Sequence, residues 1–187
     1  ISRAKYSTDY PCSFMFVASM NPCPCGYYGD PTHRCVCTPG QIQRYMNKIS
    51  GPLLDRIDIQ CEISPVPFQD ISKAAPGEPS AKIRERVIKA REIQAERFKD
   101  YKGIHCNAQM TERMIHQFAE PDEQGIELLR MAMEKLSLSA RAYNRILKVA
   151  RTIADLAGSE QIKPDHIAEA VGYRTLDRGD WAERGHI

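Results

Sequence analysis

Beyond residue 79 the apolar residues recur every three or four positions, and before residue 66 they do not. That change of period limits what the chain can fold into. Over 81–101, Ile83, Val87, Ala90, Gln94, Phe98 and Tyr101 fall along one stripe with charges around the rest, the pattern of a helix with one buried face. Residues 111–119, 122–136, 140–156 and 164–172 continue in the same way, separated by Gly, Ser or Pro. Pro164 suits the first turn of the last helix, where no amide donor is needed. Between the two regimes, 64–79 carries Pro65, Pro67, Pro76, Gly77 and Pro79, a connecting loop or linker by composition.

The first part reads as strands and turns. The run 14–19 (FMFVAS) has strand length and is almost wholly apolar, as a strand buried on both faces of a parallel sheet would be. It stops at Asn21-Pro22. A second candidate strand, 57–63 (IDIQCEI), places Ile57, Ile59, Cys61 and Ile63 at period two. Between them, 40–49 suggests a short helix ended by Ser50-Gly51-Pro52, and 1–5 suggests one more strand. The expected organisation is the edge of an α/β domain over 1–66, a linker over 67–79 and an all-α bundle over 80–187.

With 187 residues and about 150 residues per domain, the chain has room for one large unit or two small ones, each able to bury a core. Its formal charge of +2 excludes a polybasic tail and leaves room for a local phosphate-binding patch. The longest apolar run, Phe14-Met15-Phe16-Val17-Ala18, falls far short of the ~20 residues of a membrane helix. No leader pattern opens the chain, and a start at Ile1 does not resemble a natural terminus. Cytoplasm is the expected compartment. Six of the seven cysteines precede residue 66, and without export they are expected as reduced thiols or metal ligands rather than disulfides.

Four of those cysteines form two close pairs, Cys23-Pro24-Cys25 and Cys35-Val36-Cys37. Four thiolates across one short loop can close a tetrahedral zinc site, structural because no coordination position stays open for water. His33 lies near enough in sequence to replace one thiolate. Otherwise the thiols are free and cap a loop. Asn21 follows the apolar run directly, where the carboxyl end of a parallel strand would meet a ligand; an amide there orients a water or phosphate oxygen, or simply ends the strand in a turn. Arg56 stands between Asp55 and Asp58 in Pro52-Leu53-Leu54-Asp55-Arg56-Ile57-Asp58. It is either a local ion pair or a planar donor offered to a phosphate on a neighbouring molecule. Ser139 is a good N-cap, which places Arg141 in a first helical turn, where a cation opposes the helix dipole unless an anion is near. Arg141, Arg145 and Lys148 share one face by spacing.

Three segments in order, 16–26 (FVASMNPCPCG), 51–59 (GPLLDRIDI) and 138–156 (LSARAYNRILKVARTIADL), resemble the Mg-chelatase-related AAA+ proteins of the YifB/ComM type, relatives of the ATPase subunit of magnesium chelatase. The resemblance covers nearly the whole chain. It implies a ring-shaped, hexameric ATPase using ATP and Mg²⁺, with Asn21 as the sensor 1 residue, Arg56 as the arginine finger and Arg141 as the sensor 2 arginine on a helical lid. It also implies DNA as partner, by branch migration, and a pore hairpin whose returning arm would be 1–11, with Arg3 and Lys5. No G-x-x-x-x-G-K-[ST] motif and no strand ending in an acidic pair occurs in this sequence, so the phosphate loop and the Mg²⁺ ligands are expected upstream of Ile1. On its own the chain is then expected not to hydrolyse ATP. Two other readings are a zinc-stabilised module that binds DNA or protein without catalysis, and the ATPase subunit of a metal chelatase.

Overall fold

The computed structural model describes residues 2–3, 5–11, 14–63, 65–66, 70, 72 and 77–174. Most of the expected linker at 67–79, and the end of the chain past 174, lie outside the described residues. Helix α1 spans Pro39–Met46 and α2 spans Gly51–Leu54; α3 is Ser80–Phe98, α4 Glu112–Phe118, α5 Glu123–Leu136, α6 Ala140–Leu156 and α7 Pro164–Gly172.

The helices begin where side-chain acceptors meet the first amides. Thr111 accepts from Met114 N, Asp122 from Gly125 N at 2.7 Å, and Ser139 from Ala142 N at 3.2 Å; each satisfies a donor with no partner inside the helix. Thr38 and Gln41 form a reciprocal capping box at α1. Pro164 opens α7, preceded by Lys163, whose amide donates to His166 Nδ1. α5 ends on Ser137 in the left-handed region, at φ 49°, and the Leu138 amide returns to the Met133 carbonyl at 3.1 Å, the bond that satisfies a terminal carbonyl.

α6 is the hub. It packs against α3, α4, α7 and a 3₁₀ turn at Asn107–Gln109, and α7 packs in turn on α5. The core holds Phe98, Met110, Met114, Ile115, Leu129, Ile146, Leu147, Ile162 and Ile167, closed by Ala119, Ala150, Ala154 and Ala170. Phe98, Tyr101 and Phe118 meet edge to face, with ring centroids 5.8–6.3 Å apart. α3 buries Ala90, Gln94 and Phe98 of the expected stripe, whereas Ile83 and Val87 stay exposed because the bundle reaches only the C-terminal half of the helix.

Of the expected α/β part followed by a helical bundle, the structure shows the helices and a small two-stranded sheet. Residues 14–19 and 57–63 form no strand, and among the described residues there is no parallel sheet. Phe14, Met15, Phe16 and Val17 are exposed, as are Ile59 and Ile63. A strand needs a ladder of hydrogen bonds to a neighbour, and among the described residues neither segment forms one. The regular strand pairing is a two-residue antiparallel ladder of β1 (Ser2–Arg3) and β2 (Tyr6–Ser7), with Ser2 opposite Ser7, where a single strand over 1–5 was expected.

Candidate functional site

The sequence Cys-Pro-Cys-Gly turns sharply because Gly26 adopts φ +85°, a region favouring glycine, and its amide donates to the Cys23 carbonyl at 3.0 Å. The turn brings both thiols of the first pair inward. Cys23 Sγ lies 3.3 Å from Cys25 Sγ and 3.7 Å from Cys35 Sγ, and Cys25 and Cys35 are 3.5 Å apart. Cys37 completes a group whose sulfurs all lie within 4.8 Å of one another. These are not disulfide distances, which would be about 2.05 Å. A tetrahedral centre with metal–sulfur bonds of about 2.3 Å has sulfur–sulfur edges of about 3.8 Å, so the four thiols can hold a metal ion with little movement.

Electrostatics agree with the geometry. Amides of Tyr27 and then Val36 lower the Cys25 thiol to about 6. An amide hydrogen bond from Cys37 also lowers Cys35, but burial and the neighbouring Cys25 and Cys23 outweigh it and push Cys35 up to about 12. Burial and the same two thiols raise Cys37. One thiolate is thus favoured, and further negative charge in the cluster requires a cation. His33 is not a ligand. Its ring stacks on Tyr27 and its Nδ1 contacts Thr32 and Asp30, on the outside of the loop. Asp30 organises that turn by accepting from the Thr32 hydroxyl at 2.6 Å, the Thr32 amide and the His33 amide. These bonds, the Thr32 hydroxyl first, hold the Asp30 carboxyl down to about 2.

Asn21 is exposed at the entrance of the cysteine loop, with its amide nitrogen 3.9 Å from where a β-carbon on Gly26 would stand. It lines a cleft of about 860 Å³ that also reaches Leu54 and Ile57, the residues flanking Arg56 and Asp55.

The local ion pair considered for Arg56 does not form. Arg56 is exposed, and its Nη1 donates to the Pro52 carbonyl at 2.5 Å. Both neighbouring acids turn to the helical bundle instead. Asp55 accepts from the Ser139 hydroxyl at 3.1 Å and pairs with Arg174 at 3.7 Å; Asp58 pairs with Arg145. Arg174, almost fully buried, also donates to the carbonyls of Ile57 and Asp55. Gln60 N donates to the Tyr173 carbonyl at 3.0 Å.

Of the basic face on α6, Arg145 is committed to Asp58 and Lys148 donates to the Ala108 carbonyl at 2.9 Å. Burial first, then Arg145, lowers the Lys148 ammonium. Arg141 is exposed in the first turn and makes no ion pair among the described residues. Sequence reasoning missed the clamp of Ser139, Arg145 and Arg174. Its one local signal is an arginine immediately beyond a helix that buries its apolar face.

Residues 77–174 match the family described as magnesium chelatase, subunit ChlI C-terminal, and residues 1–71 match magnesium chelatase, subunit ChlI. The chain is 44% identical over 179 residues to the Competence protein ComM of Haemophilus influenzae, covering 95% of this chain and 34% of that protein. It is 42% identical over the same shares to the protein YifB of Escherichia coli K12. It spans about a third of the length of the curated relatives it matches. With both halves matched and the three motifs in order, the chain belongs to the Mg-chelatase-related family of the YifB/ComM type.

Proposed function

We propose that this chain is the end of an AAA+ ATPase core followed by its helical lid, in a protein that assembles as a ring and couples ATP hydrolysis to remodelling of DNA. Arg56 acts as the arginine finger toward a neighbouring subunit, Arg141 as the lid arginine over the subunit's own nucleotide, and Asn21 as the polar residue that orients the attacking water. The observation that carries this reading is the Ser139–Asp55 contact. It brings the Arg56 segment to the N-terminus of the helix bearing Arg141, while both arginines stay exposed without an acid partner among the described residues. Exposed planar donors with no acid partner, beside neighbours that are occupied, suit phosphate contact. Bound ATP with Mg²⁺ would supply the phosphoryl group. The phosphate-loop motif is not in this sequence, so these residues would contribute sensing and the contact in trans rather than the phosphate cradle. The name of the Haemophilus relative ties that protein to competence, which fits a DNA substrate.

The cysteine cluster holds one structural zinc, because four sulfurs at tetrahedral spacing leave no position for a reacting water. It pins the loop that follows Asn21.

The test uses the whole protein, with each arginine changed to alanine and mixed with a phosphate-loop lysine variant that is itself inactive. Arg56→Ala subunits keep an intact site of their own and regain hydrolysis when the lysine variant supplies Arg56 from next door. Arg141→Ala subunits regain none. Equal recovery in both mixtures would overturn the assignment.

A further inference from the structure

The segment carrying Arg56 has little of its own to hold it in place. α2 is four residues long and buries none of them, Leu54 and Ile57 are half-buried, and Arg56, Asp58 and Ile59 are exposed. Local backbone hydrogen bonds shape it, and its place against the helical bundle is set by polar groups 84 to 119 residues further along the chain. The Ser139 hydroxyl holds the Asp55 carboxylate while its oxygen caps α6 at Ala142 N. Arg145, one turn beyond Arg141 on the same helix, holds Asp58. Arg174, just past α7, holds the Ile57 and Asp55 carbonyls and the Asp55 carboxylate. Each acid and carbonyl held in this way flanks Arg56, and none of these contacts touches its guanidinium.

We infer that Ser139, Arg145 and Arg174 are positioning residues that fasten the Arg56 loop to α6 and α7, so that Arg56 and Arg141 move as one body. The inference rests on the proposed roles of the two arginines and adds their coupling. An arginine that contacts a subunit's own nucleotide and one that reaches the next subunit's nucleotide would then be joined through one hydroxyl and one helical turn. A change of lid position at one site changes the presentation of the arginine at the next. Held at once from Ser139, Arg145 and Arg174, the loop follows the lid.

The Asp58–Arg145 pair tests this best. It is 48% and 30% exposed on its two sides, where an ion pair adds little to stability, so its variants fold. Arg174 is nearly fully buried and is left intact. In the whole protein, Asp58→Asn and Arg145→Gln are each expected to lower kcat about tenfold with KM within about twofold, since a misplacement of the order of an ångström is enough to slow chemistry. Combined, they lower it no further than the worse single change, because they break one contact. Mixed with the phosphate-loop lysine variant, Asp58→Asn subunits regain hydrolysis as Arg56→Ala subunits do. Exchanging the charges, Asp58→Arg with Arg145→Asp, restores part of kcat. Single variants at the native rate, or losses that multiply in the double variant, would overturn the coupling while Arg56→Ala still abolishes activity. If Arg56→Ala itself hydrolyses ATP normally, the finger reading fails instead.

Discussion

Asp155→Ala is expected to be the most damaging single change in the helical bundle. The Asp155 side chain is fully buried, in the last turn of α6. It accepts from Arg97 Nη2 at 2.5 Å and Nη1 at 2.7 Å, from Asn107 Nδ2 at 2.8 Å and from Arg151 Nε at 3.1 Å. Arg97 belongs to α3 and Asn107 to the 3₁₀ turn, so one carboxylate joins three elements. Both guanidinium groups are largely out of water, at 13% and 4% exposure. Burial is the main influence on Arg151 and disfavours its charge; Asp155 offsets it. Alanine would leave two largely buried cations repelling each other with no carboxylate between them. Arg151 would keep the carbonyls of Ser159 and Glu160, and Arg97 would keep Asn107 Oδ1, so hydrogen bonds survive where charge balance does not. Removing one side of a buried pair costs about 3–5 kcal/mol, against a total stability of about 5–15 kcal/mol for a domain. With a urea dependence of about 2 kcal/mol per molar, the unfolding midpoint should fall by about 1.5–2.5 M. Far-ultraviolet circular dichroism reads this directly, since most of the helix lies in the bundle. Glu127→Ala, which breaks an exposed pair with Arg130, should move the midpoint by less than about 0.5 M. An Asp155→Ala midpoint as close to the native one as that control would refute the claim that this network carries stability.

Protein purified without added metal is expected to contain about one zinc per chain, read by elemental analysis, and Cys23→Ser or Cys35→Ser to lose it; metal-free protein with every thiol titratable would end the zinc assignment. Gly125→Ala places a β-carbon 2.9 Å from Pro121 Cβ and 3.1 Å from Asp122 Oδ1, at the cap of α5. Overpacking there costs about 1–3 kcal/mol and outweighs alanine's better helix propensity, so thermal unfolding should shift downward; a rise would show that the cap yields freely. Asp30 should titrate near 2, below its ordinary 3.8. Because the folded state lowers it, the turn gains from the charged form above about pH 4 and loses that gain as pH falls through 2. Carboxyl NMR reads the midpoint directly, and a value near 3.8 would mean that Thr32 and His33 do not hold it.

The helices were legible because their signals are local. Ser139 is a cap in sequence and a cap in the structure, Thr111 and Asp122, expected to open their helices, cap them instead, and α6 and α7 begin and end where the spacing places them. The strands were not, because a period of two describes a face and does not supply a neighbour: Ile59 and Ile63 alternate correctly and remain exposed. The thiol pairs identified a metal-capable cluster, whereas excluding His33 required knowing that Asp30 and Thr32 turn its ring outward. The acids beside Arg56 invited a local pairing, and their true partners lie 84 or more residues away. Arg151 and Asp155 did leave a trace in sequence. They stand four apart, beside Leu147, Ala150 and Ala154 on the buried side of α6, where charged residues occur only if paired.

The two ends of α6 carry different loads, and the difference bears on how such a lid would transmit movement. At its C-terminal end, Asp155 locks α6 to α3, the helix that follows the proline-rich connection. At its N-terminal end, Ser139 and Arg145 lock it to the Arg56 loop, with Arg141 exposed between them. The apolar face along the length between is packed against α4 and α7, which makes the helix a stiff rod rather than a hinge. Movement of α6 would then be passed on whole, to α3 at one end and to the Arg56 loop at the other. A rotation of the bundle would carry Arg56 and Arg141 together.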